Sequence, residues 1–481
     1  MLLSEFVKTY DLKGNIIFDY EINKVTDDSR NINKDDVFII IKGINNSGFD
    51  YLNDVFNKGV RTIIINDDTN RELIYSNINV FKVKDTKEWY LNYLLTINNQ
   101  LLNKIKIIGI TGTNGKTTSS FLVYTILKKY KNVMLVGTNG SYVYVNKKEF
   151  CYDTKNTTPK LSVILDIINN HPNIKYLILE VSSDAVESRR LGNLKFDIIG
   201  LTNIGHDHVN THKSYENYIN SKINLFKSLK NSKNSFAVIN EDDKYFNRFK
   251  KTINKENKIF SYGINNGDLR GEIISMNQNY MMINVVDKEH DMTFGTNLLG
   301  RFNVYNILLS IKMLELLGIP FIKIIDSFSH NIEIPGRYNK YRIKERNIYI
   351  DYAHNPEAIK EFLCMINKIT DNKIITVVGA GGCRDKLKRG KMGLYSENYS
   401  DKVIFTEDTS REEDVKEIIK GLTSEITENN YLIEYDRPAA IKKAFEISEP
   451  NDFIILLGMG NDRYGVNNKL TDLDIIKQIG K

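Results

Sequence analysis

The stretch IKIIGITGTNGKTTSSFLVYTILKKY, residues 105–130, limits the fold more than any other part of the chain. A six-residue apolar run, a turn with two glycines and an apolar segment of helical period follow one another without a gap, which predicts strand, loop and helix. Glycines in such a turn let backbone N–H groups face an anion at a helix N-terminus. Lys116 can neutralise a phosphate there, and the Thr117 hydroxyl can reach Mg²⁺. The segment Gly112, Thr113, Asn114, Gly115, Lys116, Thr117 and Thr118 is therefore the candidate nucleotide-phosphate site. It departs from G-x-x-x-x-G-K-[ST] at one place: the first Gly position falls on Ile110, flanked by Gly109 and Gly112.

Similar apolar runs recur, each followed by a stretch of helical period: VFIII (37–41), TIIIN (62–66), YLILEV (176–181), DIIGLTN (197–203), FAVIN (236–240), NIYIDY (347–352), KIITVVG (373–379), DKVIFT (401–406) and DFIILLG (452–458). This rhythm predicts mostly parallel sheets with crossover helices, an α/β fold. With 481 residues the chain is too long for one ordinary core. The Asn-rich segment TINNQLLNK places a boundary near residue 100, and GIP (318–320) with PGR (335–337) places another near 335. Three domains are expected: 1–100, 101–335 and 336–481. The Asn/Lys-rich pieces NINKDD, INKENK and INNGD read as solvated loops.

Composition narrows the classes. Cys151, Cys364 and Cys383 show neither CxxC nor metal-ligand spacing, which suits a reduced protein without disulfides or a zinc site. The N-terminus lacks a basic segment followed by an apolar run, and no apolar stretch is long enough to span a bilayer. A cytoplasmic protein with no membrane association is expected. The formal charge of +6 sets 66 basic against 60 acidic residues, with the lysines scattered, so nucleic acid is not an expected partner.

Two further segments carry chemistry. YLILEVSS (176–183) puts Glu180 at the C-terminal end of a buried strand, where ligands of open α/β sheets bind, and a carboxylate there can hold Mg²⁺. A helix-capping role is the alternative for an isolated acid. LTNIGHDHVNTH (201–212) gathers three His and one Asp after another strand. Beside a phosphate loop, an oxygen-rich site with one imidazole favours Mg²⁺ over zinc.

GTNGKTT (112–118), EVSS (180–183), Asp207-His208, YINSKINLF (218–226), GRFNVYN (300–306), PGR (335–337) and DYAHNPEA (351–358) occur in the order found in the Mur ligases, and through them the chain resembles that family over nearly its whole length. The segments TDDSRNINKDDVFIIIKG, NTTP (156–159) and GGCRDKLKRGKMG (381–393) resemble the members that add the third residue of the peptidoglycan precursor. The resemblance implies a central P-loop domain binding ATP, flanked by an N-terminal UDP-binding α/β domain and a C-terminal Rossmann-like domain that brings in the amino acid. The implied reaction joins a diamino acid, meso-diaminopimelate or L-lysine, to UDP-N-acetylmuramoyl-L-alanyl-D-glutamate through an acyl phosphate, in a monomer. A folylpolyglutamate synthetase-like amide ligase and a non-enzymatic nucleotide-dependent binding module are the alternatives.

By the same resemblance Ser29 touches the UDP-sugar, while Thr157, Thr158, Ser182, Ser188 and Arg190 line the precursor. Thr117, Glu180, His208 and Lys222 hold Mg²⁺, Lys222 as a carbamate formed with CO₂. Lys116, Lys222, Glu180 and His208 form the catalytic set. For ATP, an amide at Asn303 can read the adenine edge, a guanidinium at Arg337 can pair with phosphate, and a carboxylate at Asp351 can accept ribose hydroxyls. Arg384, Asp408, Arg411, Gly458 and Asp462 fall at amino-acid-binding positions. The chain departs from the family pattern at Asp184, Ser188, Asn210, Lys213, Thr409, Ser410 and the Gly458–Asp462 segment. In FTEDTSREED (405–414), Ser410 followed by Glu413 also predicts a capping box that starts a helix.

Overall fold

The structure is a computed structural model that describes residues 1–43, 47–69, 77–205, 214–428, 430–463 and 470–481. His208, with Asp207 and the rest of residues 206–213, lies outside the described residues. Residues 1–103 with 191–194 form one compact unit, and residues 104–190 with 195–481 form a second.

The first unit holds a five-stranded sheet in the order β1-β5-β4-β3-β2. Its strands are β1 (Lys13–Asn15), β2 (Val25–Thr26), β3 (Val37–Ile39), β4 (Thr62–Asn66) and β5 (Asn79–Val83). Only β1 runs antiparallel to its neighbour. Ile63 and Ile65 from β4 pack with Phe38, Val55 and Leu52 as its core.

The second unit contains two sheets. The larger has eleven strands in the order β16-β15-β14-β13-β12-β11-β6-β10-β7-β8-β9. From β13 through β7 it is parallel. These strands are β6 (Lys106–Thr111), β7 (Val133–Gly137), β10 (Tyr176–Glu180), β11 (Ile198–Leu201), β12 (Phe236–Asn240) and β13 (Lys258–Gly263). A hairpin of β8 (Gly140–Val145) and β9 (Lys148–Tyr152) extends one edge, and β14 (Leu269–Met276), β15 (Met281–Val286) and β16 (Asp291–Thr296) extend the other. The central strands are apolar runs because helices cover both faces. The helices Lys116–Leu127 and Arg301–Leu316 supply much of that cover, burying Leu122, Ile126, Ile307 and Leu308 among others.

The smaller sheet runs β17-β18-β22-β19-β20-β21. It comprises β17 (Asn339–Ile343), β18 (Arg346–Asp351), β19 (Ile374–Val378), β20 (Lys402–Phe405), β21 (Tyr431–Ile433) and β22 (Phe453–Leu457), all parallel except β17. The α/β class read from the sequence is the observed one, and every apolar run named above forms a strand.

The expected capping box does not form. The helix after β20 starts at Val415, and Asp414 caps it by accepting from Lys416 N. Glu413 instead receives both Arg389 Nη1 and Arg389 Nη2 at 2.8 Å. An arginine fork within reach binds a carboxylate more strongly than one backbone N–H does, and the helix start moves past it.

Candidate active site

The phosphate loop leaves the C-terminal end of β6, between β11 and β10, and enters the helix Lys116–Leu127 at Gly115. Gly115 has φ +84° and Gly112 φ +146°, and a Cβ on either would lie about 2 Å from a side-chain oxygen, Asn306 Oδ1 or Thr202 Oγ1. Both places therefore require glycine. The loop is fixed from β11 onward: Thr113 N donates to Asn203 O (2.8 Å), Asn114 N to Asn203 Oδ1 (3.1 Å), and Thr202 Oγ1 to Asn114 O (2.7 Å).

Two ammonium groups meet on this loop. Lys116 Nζ donates to Gly112 O (2.9 Å) and Thr113 O (2.8 Å), and Lys222 Nζ also donates to Gly112 O (2.8 Å). Lys222 sits on the helix Tyr215–Phe226, is 2% exposed and stands 4.6 Å from the centre of the Tyr218 ring. It is a buried lysine directed at the loop rather than a solvated one on a helix face.

Glu180, at the end of β10, is fully buried. Its Oε2 accepts from Thr117 Oγ1 and Thr138 Oγ1, both at 3.0 Å, and its Oε1 from Ser120 Oγ at 3.1 Å. Three hydroxyls and a carboxylate thus converge beside the loop, a set of hard oxygens suited to Mg²⁺. Thr138 Oγ1 also lies 3.1 Å from Thr157 Oγ1. Thr158 Oγ1 donates to Glu180 O (2.7 Å) and accepts from Ser182 N (3.0 Å), and Arg190 Nη1 donates to Thr158 O (2.9 Å). The Ser182 hydroxyl caps the short helix Ser183–Glu187.

The loop opens into a cavity of about 850 Å³ shared by the two sheets of this unit. Arg337 reaches across to donate to Thr117 Oγ1 (3.3 Å), its guanidinium 4.1 Å from the centre of the Tyr352 ring. Asp351 accepts from Tyr338 N and Ala353 N, each at 2.8 Å. Burial pushes its carboxyl above the usual range, and Arg337 opposes that shift. Asn114 and Asn355 join the sheets with paired amides, Asn355 Nδ2 to Asn114 Oδ1 (2.8 Å) and Asn114 Nδ2 to Asn355 Oδ1 (3.4 Å).

Asn303 does not line this cavity. It is buried, donating to Leu299 O (2.8 Å) and accepting from Asn306 Nδ2 (3.1 Å), so its amide is engaged by its own helix and the turn just before it. Asn306, three residues on and facing the same side, lines the cavity beneath Gly115 instead. Sequence reasoning also missed Thr138, Asn203 and Tyr352 as wall residues. Thr138 and Asn203 follow the C-terminal ends of β7 and β11, and that position in an open α/β sheet was the available signal.

At the far end lie Arg384, Asp408, Arg411, Gly458 and Asp462. Arg411 Nη1 donates to Gly382 O (2.7 Å). Asp408 Oδ1 accepts from Thr409 N, and its other oxygen faces Gly458 so closely that a Cβ there would lie 2.8 Å away. Asp462 is exposed at the cavity, and partial desolvation by the surrounding protein raises its carboxyl pKa, with Arg337 opposing. Ser188 lies outside the cavity lining, with a buried hydroxyl that has no hydrogen-bond partner among the described residues. Ser29, in the first unit, begins the 3₁₀ turn Ser29–Asn31, and its carbonyl accepts from Lys58 Nζ (2.8 Å).

This architecture is that of a phosphate-loop α/β protein whose nucleotide-type cavity is closed by a second parallel sheet. Residues 21–94 match the Mur ligase family catalytic domain, 110–314 the Mur ligase middle domain, and 336–460 the Mur ligase glutamate ligase domain. The chain is 35% identical over 453 residues to a UDP-N-acetylmuramoyl-L-alanyl-D-glutamate–2,6-diaminopimelate ligase of Clostridium botulinum, covering 93% of this chain and 92% of that one. It is 33% identical over 480 residues to the Clostridium perfringens protein of the same name, covering 97% and 96%. A solved structure of a ligase so named aligns with TM-score 0.64 at 25% identity, covering 95% of this chain and 94% of the other. The chain belongs to the Mur ligase family.

Proposed function

We propose that the protein is an ATP-dependent acid–amino-acid ligase that adds 2,6-diaminopimelate to UDP-N-acetylmuramoyl-L-alanyl-D-glutamate. The observation that carries this reading is 33–35% identity over nearly the full length to ligases of that name, in a chain with a cavity that runs from the phosphate loop to Arg384 and Arg411. Residues 1–100 would hold the UDP-sugar, 101–335 ATP and 336–481 the amino acid, with all reactants reaching a single chain in the cytoplasm.

In the reaction, the precursor's terminal carboxylate attacks the γ-phosphorus, giving an acyl phosphate and releasing ADP. The incoming amine then attacks the acyl carbon, and phosphate leaves as the amide forms. Both steps need positioning and charge neutralisation more than covalent help. Lys116 and Arg337 offer cations to the phosphates, and Thr157 and Arg190 line the precursor side. Mg²⁺ would be held by Thr117 and Glu180, with Thr138 beside them, and would neutralise phosphate charge. Arg384 and Arg411 suit a substrate bearing two carboxylates, which diaminopimelate has and lysine does not.

A ligation screen tests this directly. Purified protein with ATP, the UDP-linked dipeptide and either meso-diaminopimelate or L-lysine should give the product mass for diaminopimelate. Equal yield with lysine would overturn the specificity. ATP turnover at the same rate without the UDP-sugar would favour a nucleotide-driven binding module.

Lys222 is suited to carbamylation: its neutral amine would add to CO₂ and release a proton, turning a buried cation beside the loop into an anion. Lys222→Ala should lose ligation and regain part of it with added acetate, which can occupy the vacated volume as a carboxylate. A variant that stays fully active without acetate would remove Lys222 from the site.

A further inference from the structure

Two loops bring Arg384 and Arg411 to the cavity. One is the 381–388 turn after β19, the other the 408–413 segment after β20. They are joined along their length. Gly382 N donates to Thr409 O (2.8 Å), and Arg411 returns a bond to Gly382 O (2.7 Å). A Cβ on Gly382 would sit 1.8 Å from Ser410 O, so the two backbones touch.

One acid closes this arrangement. Glu413 Oε2 accepts from Cys383 N (2.8 Å), and Lys386 Nζ approaches Oε1 at 3.0 Å. The Arg389 fork holds both carboxylate oxygens, and Arg389 Nη2 also donates to Gly381 O (3.3 Å). The side chains of Arg389 and Glu413 are 3% and 11% exposed. The Arg389 hydrogen bonds, with the Cys383 N–H and Lys386, keep the Glu413 carboxyl far below the usual carboxylate range. Neither Arg389 nor Glu413 lines the cavity. A largely buried bidentate ion pair that ties two loops together without lining the cavity is placed to fix geometry.

We infer that Arg389 and Glu413 are positioning residues for the incoming amino acid: the pair locks the two loops into one unit and thereby sets the spacing of Arg384 and Arg411. This rests on the ligase reading above. On that reading ATP would bind at the phosphate loop and the precursor beside Thr157 and Arg190 and on residues 1–100, so the pair bears on one Michaelis constant of three.

The test is steady-state kinetics of the full chain with each substrate varied in turn. Glu413→Gln keeps the size of the side chain and an acceptor for Cys383 N but loses the charge. It should raise KM for the amino acid by roughly 10- to 100-fold, since misplacement by about 1 Å has effects of that order, and leave KM for ATP and the UDP-linked dipeptide within about twofold. Arg389→Lys keeps the charge without the fork and should fall between wild type and Glu413→Gln, and it carries the test alone if Glu413→Gln does not fold. An unchanged amino-acid KM, or equal rises in all three constants, would overturn the inference. Failure of the wild-type chain to ligate any amino acid would instead defeat the proposed function.

Discussion

Lys116→Met is expected to lower ADP formation and amide formation together, by roughly 10²–10³-fold, the range found when one preorganised charge stabiliser is removed. The substitution keeps a four-atom unbranched apolar stem of nearly the same packing and removes the ammonium. That ammonium donates to the carbonyls of Gly112 and Thr113. Phosphate oxygens carry more negative charge than amide carbonyls, so ATP would draw Lys116 away from both. Because the side chain is only partly buried and its partners are carbonyls at the cavity, the melting temperature should change little. Lys116→Arg keeps the charge but brings a wider planar fork into a tight loop, and it should recover only part of the rate. ADP release and product mass, measured in the same reactions, check both variants. Wild-type turnover by Lys116→Met would remove this residue from the chemistry.

The parallel core was legible because its strands are buried on both faces. Strands such as β6, β10 and β22 read as continuous apolar runs, and their C-terminal ends locate the cavity before any side chain is placed. The antiparallel additions were not. In β15 (MMINVV) Asn284 interrupts the apolar residues and buried and half-buried positions alternate, and β9 is almost wholly exposed, so neither shows the unbroken buried run of the core strands. At the site, Lys116, Glu180 and Arg337 were legible because each follows a strand or a glycine turn that fixes its position. Asn303 and Asn306 were harder to separate, being three residues apart on one helix face. What decides between them is the contact of Asn306 with Gly115, two elements 191 positions apart in the chain and thus invisible to local pattern. The Ser410–Glu413 motif misled for a similar reason. Its local geometry is satisfied equally by a helix cap, and only the position of Arg389 in the fold shows which partner the carboxylate takes.

Asp472→Ala should destabilise the C-terminal sheet by about 3–5 kcal/mol, the range for breaking a buried ion pair by removing one partner. Arg437 and Asp472 are both fully buried. Arg437 Nε donates to Asp472 Oδ1 and Nη2 to Oδ2, both at 2.8 Å, and Nη2 also donates to Leu457 O (2.9 Å). Loss of the carboxylate leaves the guanidinium in a place from which water is excluded, and its desolvation is then no longer offset by the ion pair. Leu457 ends β22, and Gly458 beyond it lines the cavity, so the damage should reach the amino-acid end of the site. Amide hydrogen exchange is the suitable measurement, because a chain with several cores need not unfold in one step. Protection should fall in β18, β19 and β22 and stay unchanged in residues 1–103. The double variant Arg437→Met/Asp472→Leu replaces the pair with apolar groups of similar volume and should recover most of the lost protection, since such swaps are often neutral. If the single variant kept full protection, the pair would have no stabilising role. If the double variant were worse than the single one, the Arg437 bond to Leu457 O, rather than the matching of charges, would be what holds the end of β22.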